Sequence, residues 1–431
     1  MLQLHTEQAG VDTDDSLERL ADYTALLRQV RRSGEYAEPE SSINLPGDAV
    51  LLGQVKELAT QKVTPVLKYH IVVGIGGSNL GTKAVYDALL GYRDGLDPGR
   101  FPRLLFAETT DPEWLVQTAG LVQTLSSPEE VLVTVISKSG GTTETMTNFE
   151  IIMQVLRAKF GEMNERVVAI TDNDSKLMQA AAAKSIATLA IPLPVGGRYS
   201  VLSAVGLWPL ISVGVDIEAL RRGASDMLDR TLGEDNIAAL SAVVLALTHA
   251  KGCVINDNFF FHPELESVGK WYRQLMGESI GKERSLTGEV VHAGITPTVS
   301  LGSTDLHSVG QLYLGGPKDK LTTFVSSKQA TAISVPTERI FPDLVPMVSG
   351  RPAVEVMAAI LQGVKIAYQK ADLPFMEVVL DAVNEESVGA YLQFKMVEMM
   401  YLGQLLNVNS FDQPNVESYK VETKRILEEK R

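Results

Sequence analysis

The stretch "VLVTVISKSGGTTETMTNFEIIMQVLRAKF" (131–160) decides how the chain is read. Its first six residues form a short apolar run with the composition of a strand buried on both faces. The run ends in Ser137-Lys138-Ser139 and two glycines, then opens a helix-length segment that starts with threonines. At such a strand–turn–helix junction, unpaired backbone N–H groups face outward and suit an anion. Ser137, Ser139 and Thr142 add hydroxyl donors, and Lys138 adds a charge. A Ser/Thr helix cap accounts for one or two of these hydroxyls but not for the set.

The pattern recurs. "YHIVVGIGG" precedes the helix-like "NLGTKAVYDALLGY", "RVVAITD" precedes "NDSKLMQAAAAK", and "IATLAIPLPVGGRYS" reads as a strand leaving into a loop. A second block follows. In it "AALSAVVLALTHA", "PELESVGKWYRQLMGES", "PAVEVMAAILQGVKIAYQKA" and "ESVGAYLQFKMVEMMYLGQLLN" read as helices, the last two as long amphipathic ones. "GCVINDNFFF", "TPTVSLG", "LTTFVSS" and "TAISVP" read as strands. This alternation predicts an α/β fold of mainly parallel sheets flanked by helices, with ligands outside the carboxyl ends of the strands. Sequence similarity between the two blocks is too weak to call a repeat.

The glycine turn "IVVGIGGSNLGTK" (71–83) fits neither common nucleotide motif. A dinucleotide fingerprint needs a third glycine where Asn79 stands, and a Walker A loop needs Lys before Thr, whereas Thr82 precedes Lys83. What remains is a second turn with free N–H groups and Ser78. Two such turns without a metal-binding carboxylate suit a phosphate monoester better than a triphosphate with magnesium.

Composition narrows the field. The 431 residues are 45% hydrophobic and 21% charged, a soluble globular profile. The net charge of -14 argues against nucleic acid and anionic membranes as partners. The single Cys253 excludes an internal disulfide framework. The longest apolar segment, "LSAVGLWPLISVGV" (202–215), is too short and interrupted to span a bilayer. The start lacks the pattern of a signal peptide, so a cytoplasmic protein is expected. The histidines show no metal-site spacing.

"GIGGSNLG" together with "SKSGGTTET" resembles the sugar isomerase (SIS) domain. "GGRYSVLSAVGL", "GESIGK" and "STDLHSVGQ" narrow the resemblance to the glucose-6-phosphate isomerase family in its shorter bacterial form, from about residue 45 to residue 420. The resemblance implies two SIS-type doubly wound subdomains, at 49–215 and 216–405. An N-terminal helical segment (1–48) would precede them, and a C-terminal helix (406–431) would return to the active site. It also implies a homodimer, no cofactor, no metal, and interconversion of glucose 6-phosphate and fructose 6-phosphate, a step of glycolysis and gluconeogenesis.

Carried residue by residue, the resemblance makes Gly77 and Ser78 substrate contacts. Ser137, Lys138, Ser139 and Thr142 become the phosphate loop, and Gln274 a further substrate contact. Arg198 lies beside the reacting carbons and Glu278 is the base. His307, lent by the partner subunit, opens the sugar ring together with Lys420. The chain departs from long-form members at Gly140-Gly141, where they have Phe-Thr, and at Ile280, where they have Asn.

The reaction explains the residue types. Moving a carbonyl between C1 and C2 needs one carboxylate that takes a proton from one carbon and returns it to the next. The enediolate formed between these steps calls for a fixed cation, which Arg198 would supply. Ring opening calls for a group that exchanges protons near neutrality, which suits an imidazole. A sugar-phosphate sensor, a dual phosphoglucose/phosphomannose isomerase and a nucleotide-binding α/β protein are the competing readings. A sensor would not need Arg198, Glu278, His307 and Lys420.

Overall fold

The computed structural model describes residues 2–328, 331 and 333–429. In chain order the strands are β1 (Leu2–His5), β2 (Tyr69–Val73), β3 (Arg103–Ala107), β4 (Val131–Ile136), β5 (Val167–Thr171) and β6 (Ala187–Ala190). They continue with β7 (Ile255–Phe260), β8 (Lys282–Arg284), β9 (Val290–Ala293), β10 (Thr296–Leu301), β11 (Lys320–Ser327) and β12 (Phe375–Leu380).

The first sheet has the order β3-β2-β4-β5-β6 and is parallel throughout. Every residue of β4 is buried, which explains why this strand reads as an apolar run broken only by Thr134. The chain winds outward in both directions from β2, so the β2/β4 junction is the topological switch point, where a crevice opens at the strand ends. Both glycine turns leave from those two strands.

The second sheet has the order β1-β12-β11-β7-β10. Its strands β7, β10, β11 and β12 are parallel, and β1 closes one edge antiparallel to β12. The order β10-β7-β11-β12 repeats β3-β2-β4-β5. The two halves thus share a topology that their sequences do not display. β8 and β9 form a separate antiparallel pair.

The helix after β2 (Leu80–Leu89) packs on its counterpart after β7 (Glu266–Ile280), where Ser267 donates a hydrogen bond to Asp87. This pairing carries the switch point of the first sheet to the end of a helix from the second.

Several expectations are corrected. β3 and β12 are strands that the sequence reading did not mark. Residues 2–5 are a strand of the second sheet rather than helical preamble, although Ala21–Ser33 is helical as read. "TAISVP" forms no strand: Ser334 makes one isolated bridge to Pro352, and Ala332 lies outside the described residues.

The helix Glu385–Leu405 is not amphipathic, because every residue from Ser387 to Gly403 is buried. It runs through the centre of the molecule against Ile217–Thr231. A methyl built on Gly389 would stand 1.9 Å from the Leu220 carbonyl oxygen, so only glycine permits this approach. Its two charged interior residues satisfy each other: Lys395 Nζ lies 2.7 Å from Glu398 Oε1, and both side chains are fully enclosed. Ser241 and Tyr272 also donate to the Glu398 carboxylate, and the Lys395 ammonium lies over the rings of Tyr272 and Phe394.

Candidate active site

Arg198 sits in a single 3-10 turn, Gly197–Tyr199, after β6. Its side chain is fully buried, yet every nitrogen of the guanidinium has a partner. Nε donates to Ser279 Oγ at 2.8 Å, and Nη1 to Gln413 Oε1 at 2.6 Å and to Glu278 Oε2 at 3.3 Å. Nη2 donates to the Ser410 carbonyl and, at 3.2 Å, to the Asp412 carbonyl. A buried guanidinium held this way is rigid and oriented, which a fixed oxyanion stabiliser requires.

Glu278 lies in the last turn of Glu266–Ile280. One carboxylate oxygen faces Arg198, and the other accepts from Gln274 Nε2 at 3.0 Å, one turn earlier on the same helix face. The carboxylate remains 29% exposed, enough for a ligand to reach it. Gln274 Oε1 is buried without a partner.

The glycine turn Gly76–Ser78 lies directly against the Arg198 turn. Ser200 Oγ donates to the Gly77 carbonyl at 3.2 Å. Gly77 therefore fixes where Arg198 stands, a packing role beside the ligand contact that the resemblance implied. Ser78 is half-buried at the end of β2. Its neighbour Asn79 is fully buried with neither side-chain polar atom partnered.

At the end of β4, Ser137 and Thr142 bracket the second turn with their hydroxyls 3.0 Å apart. Ser139 is exposed and makes no side-chain hydrogen bond among the described residues. The Thr142 hydroxyl caps no backbone N–H of the helix Thr143–Phe160. Lys138 turns away from the hydroxyls, and its ammonium donates to the carbonyls of Leu193 at 2.6 Å and Val195 at 3.0 Å. Burial lowers its pKa from the ordinary lysine value, with Asp172 pulling the other way. The lysine thus ties the second turn to the loop that delivers Arg198.

Within one chain, His307 and Lys420 do not join this cluster. His307 ends the short turn after β10, exposed and without a hydrogen bond among the described residues. Lys420 lies on the outer helix Glu417–Glu429, which buries none of its residues, and its ammonium pairs with Glu417 at 2.6 Å. Sequence reasoning passed over Gln413 and also Lys282, although the latter ends the quoted "GESIGK". The missing signal was three-dimensional, since their partners lie far away in sequence. Among the described residues, no group of three or more His, Cys, Asp or Glu side chains gathers closely enough to hold a metal ion. Among the described residues, no helix is long and apolar enough to cross a membrane.

Two doubly wound sheets, with a hydroxyl-lined turn at one switch point and a carboxylate–guanidinium pair beside it, define the sugar-isomerase class of α/β proteins. The comparisons make the assignment specific. The sequence profile described as phosphoglucose isomerase matches residues 47–431, so the chain belongs to that family. A relative from Carboxydothermus hydrogenoformans named glucose-6-phosphate isomerase is 34% identical, over 98% of this chain and 92% of its own length. The crystal structure of hypothetical protein TT0462 from Thermus thermophilus aligns with TM-score 0.85 and 29% identity, over 99% of this chain and all of that one. A glucose-6-phosphate isomerase from Chlamydia trachomatis shares the fold, with TM-score 0.81 and 21% identity over 99% of this chain and 88% of its own.

Proposed function

We propose that this chain interconverts D-glucose 6-phosphate and D-fructose 6-phosphate, with Glu278 as the proton carrier and Arg198 as the oxyanion stabiliser. The observation that carries the reading is the Glu278–Arg198 pair. A reachable carboxylate stands 3.3 Å from a buried, fully partnered guanidinium. After ring opening, Glu278 takes the C2 proton of the aldose, electrons move into a cis-enediolate, and the proton returns to C1. Arg198 offsets the charge on oxygen at the moment it forms, without reorganising.

Ser137, Ser139, Thr142 and Ser78 hold the phosphate at the switch point, aided by N–H groups at the start of Thr143–Phe160. Lys138 contributes positive potential from behind the turn. Gln274 orients Glu278 and keeps a free carbonyl oxygen for a sugar hydroxyl. Phosphate binding at one end orients the reacting carbons at the other. The family membership and the isomerase relatives favour this reading over a sensor.

His307 and Lys420 open the ring, His307 coming from a second copy. Apolar side chains exposed between β11 and the helix Ala353–Lys370, among them Ile340 (90%), Phe341 (68%) and Met347 (66%), support a second copy packing on this chain. Mixing unfolded Glu278→Gln and His307→Ala chains and refolding them together tests this sharing. Heterodimers then contain one intact site, and about a quarter of wild-type activity returns. No recovery would place His307 and Glu278 in the same subunit's site.

The reaction is tested by proton NMR of glucose 6-phosphate with the purified protein in D2O containing EDTA. Fructose 6-phosphate and deuterium at C2 of the recovered aldose are expected. Line broadening of the sugar phosphate without conversion would favour the sensor.

A further inference from the structure

Three of the five acceptors around Arg198 come from one short segment, Ser410 to Gln413, which crosses over the guanidinium near the end of the chain. That segment has a second anchor. Lys282 donates to both the carbonyl oxygen and the carboxylate of Asp412, the latter at 2.9 Å. The Lys282 side chain is 5% exposed, whereas the Asp412 side chain is half exposed, so the lysine is the buried, fixed member of the pair.

Lys282 also stands four residues after Glu278, just past the end of the helix that carries it. Beyond Gln413 the chain passes through one 3-10 turn, Pro414–Val416, into the outer helix that carries Lys420. That helix buries none of its own residues, so its position is inherited from the segment before it.

We propose that Lys282 is a positioning residue for the isomerase reaction. By pinning Asp412 it holds the 410–413 strap on Arg198, and through the strap it sets the place of the helix bearing Lys420. The inference rests on the isomerase reading above but adds a part to it. One lysine couples the end of the Glu278 helix to both other cationic groups of the site. Among the described residues Lys282 makes no hydrogen bond to the phosphate turn or to Gln274, so its removal leaves substrate affinity in place and acts on turnover.

The test uses the full-length protein with Lys282→Met, which keeps the stem and removes the charge, and Asp412→Asn, which is milder and guards against misfolding. Both lower kcat for glucose 6-phosphate, Lys282→Met by at least about tenfold, while KM changes less than about threefold, since small misplacements of catalytic groups fall on the chemical step. The double variant loses no more than Lys282→Met alone, because both substitutions break one contact. Lys282→Arg recovers part of kcat.

Amide hydrogen exchange of residues 410–429 accelerates in Lys282→Met while exchange in β2 and β4 stays unchanged. Unchanged kcat in a folded Lys282→Met protein would overturn the proposal, as would a loss confined to KM or additive losses in the double variant. If wild-type protein converts neither sugar phosphate, the isomerase reading fails. Exchange over 410–429 then still decides whether Lys282 holds the strap.

Discussion

Gly77 and Gly197 meet backbone to backbone: a methyl built on Gly77 would lie 2.3 Å from the Gly197 carbonyl carbon and 2.7 Å from the Arg198 nitrogen. The two turns can therefore sit together only while Gly77 has no side chain. Gly77→Ala forces them apart, at a cost of about 1–3 kcal/mol for overpacking against unyielding backbone. Because the displaced turn carries Arg198, kcat falls further than the loss of stability alone would predict. Thermal unfolding and steady-state kinetics on the same sample separate the two effects.

Replacing Glu278 by Gln keeps the shape and the contact with Gln274 but removes the proton acceptor. Turnover drops by about 10²–10⁴-fold, the range for a lost general base. Binding of a non-isomerisable sugar phosphate changes little, as calorimetry can measure. Normal turnover would remove Glu278 from the mechanism.

Arg198→Lys replaces five hydrogen bonds from a planar fork by those of a single ammonium. The expected loss in kcat is on the order of a hundredfold, because the charge beside the forming enediolate shifts when its five-bond seat is lost. The variant also unfolds at lower temperature, because the strap carbonyls lose buried partners.

His70 offers a pH signature far from the chemistry. It is fully buried in β2, with Nδ1 2.6 Å from Ser212 Oγ and Nε2 2.6 Å from Thr134 Oγ1. Ser212 already donates to the Pro209 carbonyl, and Thr134 already accepts from Trp208 Nε1. The neutral ring protonated on Nδ1 therefore satisfies the whole group. Burial pulls its pKa down from 6.5 to about 3, with Arg166 adding to the shift. Between these values the unfolded chain binds the proton and the folded one does not. The contribution is complete above pH 6.5 and is lost as pH falls toward 3, by up to about 1.4 kcal/mol per pH unit. Urea unfolding of His70→Gln from pH 4 to 7 should show a shallower acid slope than the parent protein.

Glu398→Ala leaves the Lys395 ammonium enclosed without its counter-ion. Burial already lowers the Lys395 pKa, and Glu398 is what opposes that shift. Breaking such a pair costs about 3–5 kcal/mol, and the double replacement Lys395→Met with Glu398→Leu should cost less than the single one. Chemical denaturation of the three proteins decides it.

The parallel strands and both turns were legible because β2, β4 and β5 are mainly apolar, interrupted by His70, Thr134 and Thr171, and are closed by glycine or polar residues. β3 and β12 escaped for a different reason. "RLLFA" is short and carries an arginine, and "FMEVVL" lies between two long helical patterns from which its period does not stand out. "TAISVP" has β-branched composition, but its described residues are exposed apart from half-buried Val335, and strand composition without a sheet neighbour makes no strand.

At the site, the family resemblance pointed to Arg198 and Glu278, which the fold brings together. It read Lys138 as facing the phosphate turn, whereas its ammonium is held by two backbone carbonyls more than fifty residues away. The lysine and glutamate in the central helix resembled a solvated face because their pairing with each other is invisible until the helix is enclosed.

The antiparallel pairing of β1 with β12 bears on how the molecule is made. Leu2 pairs with Leu380, so β1 is synthesised long before the strand it pairs with. Until then residues 2–5 have no sheet to join, while the first sheet is complete by residue 190 and free to assemble. Closing so long a loop delays the second sheet relative to the first. A nascent chain thus carries β1 unpaired during the interval in which a chaperone would be most useful to it.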